Sequence, residues 1–360
     1  MLINLISIWK EGILPDAVYE NKANEIKKPL VIQSSFQFET PPRVIFVKSM
    51  KAKDEVTHYG DLPTVELQPL EQEVYNQTLT QLRNNPNFYN GKQMLLTGAV
   101  YDTDNNTLYL EAVRVDYVFL ASLEKMKQVK AQGSALHCQD FFKTGVLAPF
   151  VSKDNKVSII TRKDKWNLRS VAAGFLECSN DSHPLNNLIT ETAEKEADEE
   201  FLFDHNQQRR LDFAGPPTLS SISFRDAIGM GITPTIEFVV PIQIKHDADF
   251  ILSVMNNNEA PDAHEHVPGS AVNVPLDSNE RETASRFMRQ KLPGSFLYGP
   301  VLHSCAIQAN PGMPIAHRIA EVPESRFYPM GIFKPTLRKA LKDCSETQEV
   351  DLRGSKKICK

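Results

Sequence analysis

The sequence predicts an α/β protein built on a mixed sheet with helices on both faces. Three observations carry that expectation. Short alternating, β-branched runs and amphipathic helical runs follow one another in the order strand, loop, helix, strands, loop, strand, helix. The regular βαβ alternation of a doubly wound sheet is missing, and so are the GxGxxG and GxxxxGK[ST] loops that cradle nucleotide phosphates. The hydrophobic fraction is 41% and the charged fraction 24%, enough for a real core in a chain of 360 residues. That length suggests a first α+β unit over 1–140, a second over 145–329, and a short helix with a polar tail over 330–360.

In the first unit, "MLINLISIWK" reads as a buried opening helix or strand. It has no basic residue before its apolar run and is too short to span a bilayer. "RVIFVK" (43–48) alternates like a strand. "PLEQEVYNQTLTQLRNN" (69–85) reads as a helix with Leu70, Val74, Leu79 and Leu82 as a rough apolar stripe. "QMLLTGAVYDTDNNTLYLEAVRV" reads as a hairpin turning at "TDNN", and "DYVFLASLEKMKQVK" begins a helix.

In the second unit, "KVSIITRK" (156–163) is a strand, "WNLRSVAAGFLE" (166–177) lacks a helical period, and "CSNDSHPLNN" (178–187) is a polar loop. A helix pattern covers 188–203, and "RRLDFAGPPT" breaks it. "TPTIEFVVPIQIK" (233–245) is strongly β-like, with Pro241 marking an edge or bulge. It offers either an edge for a homodimer or an internal sheet position. "NNNEAPDAHEHVPG" is a loop leading into the strand "SAVNVPLD" (270–277). "SNERETASRFMRQKL" (278–292) is a helix with a capping-box spacing at Asn279 and Glu282.

Composition narrows the partners. The net charge is −5 and no long basic tract occurs, which argues against a nucleic-acid polymer. No segment reaches transmembrane length, so no membrane partner is expected. Five scattered cysteines form no CxxC pair, which fits a reducing, cytoplasmic compartment.

The densest chemical signal is "ETAEKEADEE", residues 191–200. On a regular helix Glu196, Glu199 and Glu200 fall at i, i+3 and i+4, on one face. Three like charges there repel, and Mg²⁺ or Mn²⁺ would relieve that cost because hard cations take carboxylate oxygens. A solvated acidic face, with Lys195 pairing Glu191 or Glu199, is the alternative reading.

The segment "VSIITRKDKWNLRSVAAGFLECSN…TAEKEADEEFLF" resembles the Nudix hydrolase family over roughly residues 145–295. Gly174 fits the first glycine of the family box. Lys195 stands where arginine is expected, followed by Glu196, Ala197, Asp198, Glu199 and Glu200, and Phe203 fits the last apolar position. Asn180 replaces the box glutamate, the following stretch is seven residues longer, and Leu202 stands where glycine is expected. The resemblance implies a Nudix-like α/β/α sandwich with a mixed sheet. It implies hydrolysis of a diphosphate linkage in a nucleoside diphosphate derivative, with Mg²⁺ or Mn²⁺ as cofactor. Glu196, Glu199 and Glu200 would be metal ligands and Glu177 an additional one. Glu265 or Glu259 would be the general base. A catalytically inactive ligand-binding or protein-interaction module of the same family is the competing expectation.

Cations to hold substrate phosphates are sought at Arg162, Lys163, Arg209 and Arg210. "DAHEH" (262–266) has the spacing for Zn²⁺ through His264 and His266 on an extended segment, or is a polar loop near the site. His303 and Cys305 are a remote nucleophile pair, with buried cysteine the commoner state.

Overall fold

The computed structural model describes residues 2–4, 30–86, 88–130, 141–163, 169–228, 233–275 and 319–320. The expected helices at 278–292 and beyond 330, and His303, Cys305 and Trp166, lie outside them.

The strand, helix and hairpin expected first are all present. β1 is Leu2–Asn4, β2 Leu30–Gln37, β3 Arg43–Val47 and β4 Glu55–Val56. Helix α1 is Pro69–Leu82, and its start is fixed by Gln68 and Glu71 in a capping box. Its buried line runs through Glu71 and Thr78, while Leu70 is exposed. Of the expected apolar stripe, Val74, Leu79 and Leu82 are half-buried and Val74 packs inward, while Glu71 also turns in to accept from the Gln68 backbone N–H. β5 (Lys92–Asp102) and β6 (Thr107–Asp116) form the hairpin, and helix α2 (Tyr117–Lys130) leads directly from it.

β7 (Phe142–Ala148), β8 (Phe150–Val151), β9 (Lys156–Thr161), β10 (Arg169–Ser170), β11 (Ala172–Phe175) and β12 (Glu177–Cys178) follow. The acidic helix α3 is Leu188–Ala197, and β13 (Ser221–Ile228), β14 (Thr235–Val239) and β15 (Ile242–Gln243) come after it. Helix α4 (Ala248–Asn256), β16 (Val272–Pro275) and β17 (Ile319–Ala320) complete the described elements.

Two sheets result. The larger has twelve strands in the order β17-β2-β13-β14-β7-β5-β6-β3-β4, with β1 and β12 on β5 and β11 on β7. The smaller has five, β10-β9-β8-β15, with β16 on β9. β14 lies parallel to β7 and β15 parallel to β8, and the chain steps between sheets at Pro149 and Pro241. A proline there removes a ladder donor, so both strands break at one level. Pro241 thus ends a strand, and β14 is internal, flanked by β13 and β7.

The large sheet is mixed and runs across residue 140. Leu95 and Leu96 of β5 pair with Lys143 and Phe142 of β7, and Gln93 pairs with Glu177 of β12. Leu188, Ile189, Ala193 and Ala197 of α3 are buried in the main core with Met94, Leu96, Val146 and Phe238. The outer helices α1 and α2 cover a separate apolar cluster around Leu95, Phe119 and Leu123. The result is an α/β protein in which strands from both halves meet beside the acidic helix.

Candidate active site

Two glycines shape the floor of the acidic site. A Cβ on Gly174 would lie 2.0 Å from Glu196 Cδ and 2.1 and 2.4 Å from its two oxygens. The Glu196 carboxylate therefore rests on bare backbone of β11, opposite Val146 of β7. A Cβ on Gly91 would lie 2.0 Å from Glu177 Oε1 and 3.1 Å from Tyr89 Cε1. Glu177 thus sits against the residues that precede β5, and the exposed Tyr89 stands next to it.

The regular helical face expected for the three glutamates gives way to a π turn over Asp198–Leu202. The Phe203 N–H donates to Asp198 O at 3.0 Å, a five-residue closure that widens the helix where the acidic pair stands. The widened turn separates the fates of neighbours. Glu199 keeps a half-buried side chain beside Lys195, whereas Glu200 is turned inward to 3% exposure.

The loop after α4 holds this turn. Asp262 N–H donates to Glu199 O at 2.9 Å, and Asn258 Nδ2 to Glu200 O at 2.6 Å. These donors satisfy carbonyls that a widened last turn leaves open.

Electrostatics follow from burial. Desolvation, aided by the charge of Glu200, raises Glu196 to about 8. Desolvation also raises Glu200 to about 8, against the pull of Arg162 and the Ala173 backbone N–H. Glu199 is shifted upward by burial, against Lys195. Burial works to lower Lys195, but the hydrogen bond and charge of Glu177, with Glu199 and Glu196, outweigh it and raise it. Lys195 Nζ stands 3.0 Å from Glu177 Oε2 and 3.8 Å from Glu199 Oε2, so a single ammonium serves two carboxylates.

The structure gathers Glu177, Glu196, Glu199 and Glu200 into one region, and of the expected cations it ties Arg162 and Arg209 to acids. Arg162 pairs tightly with Glu265 through Nη2 and reaches Glu200 Oε1 at 3.8 Å through Nη1. Lys163 is exposed, and its backbone N–H donates to Glu265 O at 2.6 Å. Arg209 makes a two-pronged contact with Asp198 at 2.7 and 2.6 Å and stacks over Phe213. Arg210 donates to Asn257 O at 2.7 Å. Glu259 faces His205 at 3.3 Å on the surface.

Sequence reading missed the structural parts played by Asn258 and His266. His266 was read as a candidate zinc ligand or as part of a polar loop near the site, not as a buried partner of Glu200. It is 1% exposed, its Nε2 is 3.4 Å from Glu200 Oε2, and its ring packs on Phe201 at 4.6 Å between centroids. Burial first, then Arg162, lowers its imidazole to about 4. Its neighbour Glu265 was the signal available, since it lies within the same short "HEH" run.

The donor chemistry fits a hard divalent cation: carboxylate oxygens predominate, and the buried Glu200 Oε2 has no hydrogen-bond partner among the described residues. The geometry is not drawn together, because no group of three or more His, Cys, Asp or Glu among the described residues is arranged to hold a metal ion. That finding also stands against the zinc arrangement at His264 and His266.

No protein-family model matches the chain, and no curated protein matches it. Among solved structures, a Nudix hydrolase from Nitrosomonas europaea is similar at 16% identity and a TM-score of 0.25, covering 40% of this chain and 78% of its own. Tm1382, assigned to the Nudix hydrolases, is similar at 12% identity and a TM-score of 0.28, covering 55% of this chain and 91% of its own. These are remote, partial likenesses, and neither carries an argument about activity.

Proposed function

We propose that the chain is a divalent-metal-dependent hydrolase of a diphosphate linkage in a nucleoside diphosphate derivative. The observation that carries this reading is the half-buried Glu196 and the buried Glu200 standing together at the widened turn, with Glu200 Oε2 unpaired among the described residues and both groups raised by desolvation. Buried acids with too little positive charge around them are costly, and strongly perturbed groups gather where function requires them.

Glu196, Glu199 and Glu200, with Glu177 at the margin, would hold Mg²⁺ or Mn²⁺. Such an ion polarises a phosphoryl group and lowers the pKa of a bound water. The chain's own residues do the rest. Gly174 leaves room for the Glu196 carboxylate. Lys195 keeps Glu177 and Glu199 oriented toward the same side. Arg162 and Lys163 lie on the strand end facing Glu265 and would meet phosphate oxygens. Glu265 would accept the proton of the attacking water once Arg162 turns from it to the substrate. Arg209 acts on Asp198 and so supports the π turn.

A second reading has its own observation. The acidic side chains are not converged on one point, and Arg162 neutralises Glu265. A catalytically inactive binding module of the same type would look like this.

Turnover of a panel of diphosphate compounds with Mg²⁺ or Mn²⁺ separates the two. Metal-dependent cleavage that is lost in Glu199→Gln/Glu200→Gln, with the fold retained, supports the hydrolase. Cleavage undiminished in that double variant overturns it, and a ligand bound without cleavage favours the binding module.

A further inference from the structure

We propose that His266 is a positioning residue for Glu200, donating from Nε2–H to Glu200 Oε2 and so fixing the direction in which that carboxylate faces the acidic site. The contact stands on geometry alone, and only its consequence for metal rests on the hydrolase reading.

Both side chains are almost wholly buried, at 1% and 3% exposure. Glu200 Oε2 and both ring nitrogens of His266 are without a hydrogen bond among the described residues. Yet Nε2 and Oε2 face each other at 3.4 Å without being aligned as a hydrogen bond. Buried polar atoms are rarely left unpaired, and here each is the nearest remedy for the other. The other oxygen of Glu200 is already directed, with the Ala173 N–H at 3.4 Å and Arg162 Nη1 at 3.8 Å.

The imidazole is itself held in place. Phe201 packs on its face, the Arg162 and His266 backbones form a bridge, and Val267 N–H donates to Thr161 O at 2.8 Å. The same loop binds the carbonyls of Glu199 and Glu200 through Asp262 and Asn258. The loop thus grips both the backbone of the π turn and the side chain of its inward glutamate. An ordinary core histidine would have satisfied one nitrogen elsewhere.

Two measurements test this on the full chain. The first is the ¹⁵N-resolved imidazole spectrum of His266 without metal, recorded above the pH at which Glu200 ionises, so that its carboxylate can accept. A proton on Nε2, shifted by Glu200→Gln, is expected, and a ring protonated on Nδ1 alone would overturn the proposal. The second is Mn²⁺ affinity by electron paramagnetic resonance. His266→Phe preserves the packing on Phe201 and is expected to weaken Mn²⁺ at least 10-fold, as loss of a ligand's outer partner does. His266→Gln keeps an N–H at the same reach and is expected to recover most of it. Wild-type affinity in a folded His266→Phe refutes the positioning role. A wild type that takes up no Mn²⁺ counts against the hydrolase reading instead, and the tautomer still decides the contact.

Discussion

Gly174→Ala isolates the placement of one carboxylate. The added methyl lands 2.0 Å from Glu196 Cδ, and ordinary contact begins near 3.4 Å, so the carboxylate must retreat by about 1.4 Å. The backbone of Gly174 has no positive φ, so alanine is not strained there. The atoms it meets are the far end of a flexible side chain, so the folding cost should stay under about 1 kcal/mol. A shift on the order of 1 Å in a reacting constellation costs about 100-fold in rate, or about 2.7 kcal/mol. The assay is Mn²⁺ affinity and metal-dependent turnover, measured beside thermal unfolding. Affinity and turnover both at wild-type values, with an unchanged melting temperature, would refute the view that Gly174 exists to seat Glu196.

Saturating Mg²⁺, at a hundredfold excess over its Kd, should stabilise the wild type by about 2.7 kcal/mol and leave Glu196→Gln/Glu200→Gln unmoved in thermal unfolding. Tyr59→Phe removes a buried hydroxyl whose one proton is shared between Gln93 O and Val115 O at 2.9 and 2.6 Å, which should cost about 1–3 kcal/mol in urea unfolding while leaving Mn²⁺ affinity intact. Burial works to raise Asp154, but bonds from Ser152, Lys156 and the Ala248 N–H hold its carboxyl well below the usual range. A folded-state pKa that is lowered gives stability above the unfolded value and loses it as pH falls through the folded one. Asp154→Ala should therefore cost about 1 kcal/mol at pH 7, a size kept small by partial exposure, with the difference from wild type closing in strong acid.

What could be read in the sequence was what short range decides. "RVIFVK", the hairpin turning at "TDNN" and the helix after Gln68 carry their own alternation, turn and cap, and they appear as β3, the β5–β6 pair and α1. Helix α4 went unread, although Asp247 precedes it and Ala248, Ile251, Val254 and Met255 have helical spacing, because the adjacent Phe250, Ile251 and Leu252 blur that period in a short segment. At the site, residue types and the glycine at 174 were legible. The π turn was not, since it depends on donors from Asp262 and Asn258 about sixty residues onward. Nor was the pairing of Arg162 with Glu265, where a cation sought for substrate phosphates and a candidate general base turn out to face one another.

The strand order also sets a timetable for the ribosome. Leu30–Gln37 is made early, but its partner Ser221–Ile228 emerges roughly 200 residues later. At about 5–20 residues per second, the early strand waits on the order of 10–40 s with its hydrogen-bonding edges open. Nascent chains would thus be most vulnerable to mispairing in that interval, and holdase chaperones would be expected to bind them there rather than after release.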